Sequence, residues 1–241
     1  PGRASVDASD TAMTSGQRLR NILGASAGNL VEWFDWFAYA SFALYFSRAF
    51  FPVGDQTAQL LNTAFVFAGG FIARPVGALL FGRYADRAGR RAALTASVGL
   101  MCTGALVIAL APTGAGLLSP ALLVIARLMQ GLAVGGEYGA SATYVSEMAS
   151  AGHRGFWSGV LYVTLIGGQL VAMALQVLLQ SLLSEEAMFA WGWRVPFAIG
   201  AALAVVVFWI RRGIAETTSF TDATAASATR GRPLALGVDH P

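Results

Sequence analysis

The chain has 241 residues, of which 56% are hydrophobic and only 12% are charged. Because a soluble domain carries about 25% charged residues, this composition excludes an ordinary soluble protein and indicates a membrane protein with several spans. The formal net charge is +3, and every positively charged side chain counted in it is an arginine. No solvated domain remains for nucleic acid, which is not expected as a partner. The single cysteine, Cys102, excludes a disulfide framework within the chain and a cysteine-rich metal site.

Six segments are apolar enough to cross a bilayer, which takes about 20 residues as a helix. A polar segment, 1–20, precedes them; it lacks the features of a signal peptide, so we expect the first span to be retained. Trp191 and Trp193 are expected in the membrane interface, and the polar tail 213–241 is predicted to be disordered. The predicted spans are 21–46, 57–81, 92–111, 118–144, 155–182 and 195–210.

Arginine is concentrated at alternate ends of these spans, whereas the opposite ends carry only Arg48 and Arg194. Because cytoplasmic loops hold the excess of basic residues, both ends of the bundle 21–212 are predicted to be cytoplasmic, together with segment 1–20. The arginines on the rich side are Arg18, Arg20, Arg83, Arg87, Arg90, Arg91, Arg154, Arg211 and Arg212.

Two carboxylates, Glu32 and Asp35, interrupt the first span with no basic residue within ten positions. A charge inside a bilayer costs about 2.5–3.5 kcal/mol, and such residues are usually functional. Arg74 or Arg127 could balance them across a cavity, or an unpaired carboxylate could hold a proton. The alternative is that Glu32 or Asp35 only bonds a neighbouring helix as a packing contact.

Polar residues recur at helical spacing in several spans, and such stripes must face one another or water rather than lipid. We therefore predict a polar cavity at membrane depth. Glycines near 135–141 and at Gly167 and Gly168 are interpreted as sites of close helix packing. The candidates for substrate binding or proton coupling are Glu32, Asp35, Arg74, Arg127, Gln130, Glu137, Tyr162 and Gln169.

The segment between the second and third spans, GRYADRAGRR, carries the most specific pattern. Asp86 is predicted to cap the start of the third span, where exposed N–H groups favour an anion. The arginines could bind lipid phosphate, pair with acidic residues at other helix ends, or only fix the topology. The candidate gating residues are Gly82, Asp86, Arg87, Gly89, Arg90 and Arg91.

Two motifs in this order and spacing resemble the major facilitator superfamily. GRYADRAGRR matches its G-x-x-x-D-R-x-G-R-R signature, and Arg127–Gly131 matches R-x-x-Q-G. The stretches GNLVEWFDWFAYA, YVTLIGGQL and WGWRVPFAIGA are similar to the metabolite–proton symporter branch of that superfamily. The likeness extends over about residues 22–220.

The resemblance implies an all-α membrane fold with twelve helices in two homologous halves, of which this chain offers the first six. It implies proton-coupled symport across the bacterial inner membrane by alternating access between two bundles. The expected substrate is a small organic acid, 2-oxoglutarate or a similar dicarboxylate, with shikimate, citrate or proline and betaine as alternatives.

The resemblance also implies roles for single residues. Asp86 and Arg90 would belong to a cytoplasmic latch, and Arg127 would take part in proton coupling or in positioning that latch. An arginine suits a dicarboxylate because its planar fork binds a carboxylate through two hydrogen bonds. We therefore predict that Arg74 or Arg127 faces the substrate and that Glu32 or Glu137 carries the proton.

The departure from the family pattern is the absence of a second half, because the substrate path in this fold lies between halves. The expected partners are lipids, protons, substrate, and either a missing C-terminal half or a second copy. The chain could be a truncated or frame-shifted fragment, or a scaffold that does not transport. No cofactor, metal or ATP is expected, since no G-x-x-x-x-G-K-[ST] loop occurs. His153 and His240 lie in a loop and the tail, which argues against an enzyme.

Overall fold

The computed structural model describes residues 15–148 and 154–212, and every long element in that part of the chain is a helix. The predicted all-α membrane fold is confirmed. A short α6 and a five-residue π-helical turn, Met188–Gly192, precede the last helix. The helices are α1 Ser15–Phe50, α2 Gln56–Ala88, α3 Arg90–Leu110, α4 Leu118–Met148, α5 Arg154–Leu182, α6 Glu185–Ala187 and α7 Arg194–Arg212.

The six long helices coincide with the six predicted spans, but several run further at their ends. α1 begins at Ser15, inside the segment 1–20, and α2 continues to Ala88 rather than to residue 81. Hydropathy marks the part of a helix that is apolar, whereas backbone hydrogen bonds carry the helix on into polar sequence. Residues 1–14, the tail 213–241, His153 and His240 lie outside the described residues.

The junction between α2 and α3 consists of one residue, Gly89, whose φ is +97°. This left-handed backbone region favours glycine. The prediction that Asp86 caps α3 is wrong, because Asp86 lies inside α2 and Gly89 occupies the cap position without a side-chain hydrogen bond. Asp86 instead meets Arg90 across the junction, with 3.3 Å between Oδ1 and Nη1.

The π-helical turn before α7 contains Trp191, and Trp193 follows directly after it. Trp191 is half exposed, as expected for the interface, but Trp193 is fully buried. Trp193 packs edge-on against Phe50 of α1, with 5.5 Å between ring centroids, and also contacts Phe46. The prediction of an interfacial position for Trp193 is therefore wrong, because this aromatic core excludes it from the surface.

Glycines bring α2 and α4 into backbone contact. A Cβ atom at Gly131 would collide with the Gly70 carbonyl, and one at Gly135 would collide with the Arg74 carbonyl. Gly168 of α5 meets the backbone of α1 at Leu30 in the same way. Small residues at helix interfaces allow this approach in membranes, so these contacts fix how far Arg74 lies from α4.

Five of the described helices contain stretches long and apolar enough to span a membrane: α2, α3, α4, α5 and α7. α1 is not among them, since Glu32, Asp35 and several weakly apolar aromatic residues lower its hydropathy. It lies inside the bundle against α5, α4 and α7. By contrast, only 17% of the apolar stretch of α2 is buried, and the same fraction holds for α5. A broad apolar face is therefore left on each of these helices.

Candidate functional site

A buried ion pair joins α1 to α4. Arg127 Nη1 donates to Asp35 Oδ2 at 3.1 Å and to Gln130 Oε1 at 2.7 Å. Both charged side chains are at most 1% exposed. The Arg127 guanidinium also lies 4.1 Å from the ring centroids of Trp36 and Tyr39. Of the two arginines expected to balance the α1 carboxylates, Arg127 therefore contacts Asp35.

Arg74 of α2 lies against the same indole as Arg127. Its guanidinium carbon is 4.3 Å from the Trp36 ring centroid and 4.1 Å from that of Phe71. Arg74 is only partly buried, yet its Nε and Nη2 atoms are buried without a hydrogen-bond partner among the described residues. Aromatic faces hold this cation, and its hydrogen-bonding capacity is left largely unused.

A second buried ion pair joins α4 to α7. Arg211 Nη2 donates to Glu137 Oε1 at 2.5 Å, and Arg211 Nη1 donates to the Leu94 carbonyl at 2.6 Å. The Ser97 hydroxyl donates to Glu137 Oε2 at 3.2 Å. Because Glu137 follows Arg127 by ten residues on α4, the two ion pairs lie about 15 Å apart along that helix.

Glu32 lies on α1 between these two levels. Asp35, one turn away, belongs to the first ion pair, and Gly28, one turn away in the other direction, faces the second. Glu32 is 2% exposed, and its Oε2 atom has no hydrogen-bond partner in the described part of the chain. No ion pair within 4 Å joins it to a described arginine, so its charge is not neutralised by direct contact.

The interior between α1, α2 and α4 holds an excess of unused donors. Unpaired N–H groups occur on Arg74, Arg127, Gln130 and Trp36, whereas the unpaired buried oxygens nearby belong to Glu32 and Asp35. Buried polar groups normally find partners. A ligand rich in acceptor oxygens would satisfy these donors, so the arrangement is suited to bind an organic anion.

Tyr162 and Gln169 of α5 lie apart from these charges. Tyr162 is 65% exposed, and Gln169 is partly buried. Neither makes a hydrogen bond to the buried ion pairs among the described contacts. Further along α5, Gln176 donates to the Ser41 carbonyl at 3.0 Å and Gln180 donates to the Tyr45 hydroxyl at 2.8 Å, which ties α5 to α1.

The candidate gating residues lie at the bundle end where α2 meets α3. Gly82 has open space around it. Across Gly89, exposed Asp86 contacts partly buried Arg90, and Arg87 and Arg91 are exposed. An ion pair that is exposed on one side contributes little to stability.

Sequence reasoning missed the role of Arg211, which was interpreted only as a topology signal. A usable signal existed, since Gly200, Ala204, Val207 and Arg211 recur at helical spacing and are all buried. Arg212, the next residue, is exposed. A small, apolar face that ends in arginine therefore indicates a buried cation, whereas its neighbour marks the surface.

Comparisons with known proteins identify relatives over most of this chain. The family described as "Sugar (and other) transporter" matches residues 21–228. The α-ketoglutarate permease of Escherichia coli K12 is 53% identical over 88% of this chain and 50% of its own length. The citrate-proton symporter of Klebsiella pneumoniae is 37% identical over 91% of this chain and 51% of its own length. The chain thus spans about half the length of these relatives.

The fold matches a solved transporter over the same extent. The partially occluded, inward-open xylose transporter XylE from E. coli superposes with a TM-score of 0.79 at 21% identity, over 90% of this chain and 52% of XylE. Membership of a transporter family sets the enzyme interpretation aside. The chain belongs to the sugar (and other) transporter family of the major facilitator superfamily, and it forms one six-helix half of that multi-pass membrane fold.

Proposed function

We propose that this chain is the N-terminal half of a proton-coupled carrier for a small organic dicarboxylate, 2-oxoglutarate or a close analogue. Arg74 receives a substrate carboxylate, and Glu32 carries the proton. The bundle lies in the bacterial inner membrane with both ends cytoplasmic, and it acts by alternating access together with a second half. Segments 1–20 and 213–241 flank the bundle on the cytoplasmic side.

The single observation that carries this proposal is the state of Arg74. Its guanidinium is held by aromatic rings, and two of its nitrogen atoms are buried without hydrogen-bond partners. A carboxylate can accept from two such donors at once. Arg127 is less suited to direct contact, since it is fully buried and already bonded to Asp35. The relative named for α-ketoglutarate supports the substrate class.

Glu32 is the carboxylate best placed to carry the proton, because Asp35 and Glu137 each contact an arginine directly. A buried carboxylate without a cation in contact gains from binding a proton. The exposed apolar faces of α2 and α5 support a second half as the partner, with a second copy of this chain as the alternative. Gln130 accepts a hydrogen bond from Arg127 and so helps to keep the Arg127–Asp35 ion pair in place.

Binding and transport of 2-oxoglutarate test the proposal. The chain is reconstituted alone and also joined to the second six-helix half of a relative. We expect Arg74→Gln to weaken 2-oxoglutarate binding about ten- to a hundredfold, since hydrogen bonds between charged groups are worth about 1.5–3 kcal/mol. Arg74→Lys keeps the charge but loses the planar guanidinium group. Its affinity for 2-oxoglutarate should therefore lie between those of the wild type and of Arg74→Gln.

Arg48→Gln serves as the control. Arg48 lies in the last turn of α1, over the Phe189 ring, and not beside Trp36 as Arg74 does. Unchanged affinity in Arg74→Gln would contradict the assignment. Transport by the joined protein but not by the chain alone supports the requirement for a second half. Absence of dicarboxylate binding in both forms would favour a non-transporting scaffold.

A further inference from the structure

A cavity of about 350 Å³ opens between α3 and α7. Tyr84 of α2 completes its wall. The mouth carries two arginines, Arg91 and Arg212, while the remaining surface is formed mainly by small or apolar residues. None of the described residues that line this cavity is acidic.

Both arginines lie at the same end of the bundle. α3 begins at Arg90 and α7 ends at Arg212, and the hydrogen bond from Arg211 to the Leu94 carbonyl fixes the two helix ends side by side. The Arg212 guanidinium carbon lies 5.4 Å from the Phe208 ring centroid and 5.6 Å from that of Trp209. These aromatic contacts hold the cation beside the cavity.

The cavity continues from this charged mouth toward the apolar part of the bundle. Its lining runs along α3 from Arg91 to Gly99, which corresponds to about 12 Å of helix. A Cβ atom at Gly99 would meet no atom within 4 Å. Both α3 and α7 are long and apolar enough to span a membrane, so the cavity forms a slot that runs from a basic end along the apolar sequence of α3.

We propose that this cavity is a binding site for an anionic phospholipid. Its phosphate group lies between Arg91 and Arg212, and the first part of an acyl chain follows the slot past Gly99. Basic pockets between membrane helices suit such headgroups, because arginine pairs with phosphate while the adjoining apolar wall accepts the chain. The site is separate from Arg74 and Glu32, so it does not depend on the proposed transport function.

The test is native mass spectrometry of the chain released from detergent micelles with added phosphatidylglycerol. We expect a bound lipid in the wild type. Arg212→Gln should lower the affinity for phosphatidylglycerol about fivefold, because each basic residue near an anionic lipid raises the affinity by about that factor. The Arg91→Gln, Arg212→Gln double variant should lower it about 25-fold. Gly99→Leu keeps both charges but fills the slot, and it should also reduce binding.

Two matched variants control for general effects. Arg48→Gln removes an arginine at the opposite bundle end, and Gly69→Leu adds the same side chain at another glycine with open space around it. Neither should change phosphatidylglycerol binding. Circular dichroism and gel filtration check that each variant remains folded.

Further ligands decide the chemistry. Phosphatidylcholine and diacylglycerol should bind more weakly than phosphatidylglycerol, because the first lacks a net negative charge and the second lacks phosphate. Inorganic phosphate alone should bind weakly. Equal binding of phosphatidylcholine, full phosphatidylglycerol binding by the folded double variant, or tight inorganic phosphate binding that Gly99→Leu leaves unchanged would each overturn the proposal.

Discussion

Arg211 of α7 and Glu137 of α4 form a buried ion pair with 2.5 Å between Nη2 and Oε1, and Gly28 of α1 packs directly against it. The pair therefore links three helices that are far apart in sequence. Because a Cβ atom at residue 28 would occupy the space of both charged groups, the glycine is a steric requirement for this contact.

Gly28→Ala is expected to destabilise the bundle. The added methyl group must displace the Arg211 guanidinium or the Glu137 carboxylate, and overpacking of this kind costs about 1–3 kcal/mol. The free energy of unfolding in detergent measures the effect. Gly167→Ala on α5 is the control, since its Cβ would meet only Leu30 Cδ1 at 3.7 Å. Equal stability of the two variants would contradict the predicted collision.

Removing one partner of the Arg211–Glu137 ion pair should cost nearly as much unfolding free energy as removing both. Glu137→Gln leaves Arg211 buried without its anion, and a broken buried pair typically costs about 3–5 kcal/mol. Arg211→Gln should have a similar effect. In the double variant the remaining groups are neutral, so its loss of unfolding free energy should be smaller than the sum of the single losses. A strictly additive double-mutant cycle would refute the coupling.

Gly135→Ala should affect stability and anion binding together. The new Cβ would meet the backbone of Arg74 at its carbonyl group, so α2 must move away from α4. We expect the unfolding free energy to fall by about 1–3 kcal/mol, and the affinity for 2-oxoglutarate to fall with it. Gly69→Ala on α2, whose Cβ would meet nothing within 4 Å, should leave both quantities unchanged. A normal affinity in folded Gly135→Ala would show that Arg74 does not depend on this packing.

Glu32→Gln should uncouple transport from protons in the protein joined to a second half. The amide cannot exchange a proton, so accumulation driven by a pH gradient should be lost while exchange of labelled for unlabelled 2-oxoglutarate continues. Uptake into proteoliposomes with and without a pH gradient separates these activities. Glu185→Gln, at the exposed start of α6, is the control. Wild-type gradient-driven uptake by Glu32→Gln would rule out Glu32 as the proton carrier.

The helices could be predicted from sequence because the bilayer imposes a length on apolar segments. Their ends could not, since Arg83 and Arg87 extend α2 in polar sequence where hydropathy falls but helical hydrogen bonding continues. Asp86 was misplaced for this reason. The expected loop is helical up to Ala88, and a single glycine makes the turn.

The charged residues of the site were found because carboxylates and arginines are rare at membrane depth. Their pairing was open, however, because Asp35 and Arg127 are 92 residues apart and only the packing of α1 on α4 brings them together. Trp193 illustrates the same limit. Its amphipathic side chain suits an interface, but the π-helical turn directs it into the core instead.

Trp36 places one aromatic surface under two cations, since Arg74 and Arg127 both lie within 4.3 Å of its ring centroid. A displacement of this indole alters the electrostatic environment of both guanidinium groups simultaneously. If Arg74 receives the substrate as proposed, anion binding there and the ionisation of the Asp35–Arg127 pair become linked thermodynamic quantities. Such linkage is reciprocal, so any factor by which a bound anion changes the proton affinity of the pair is also the factor by which protonation changes the affinity for the anion.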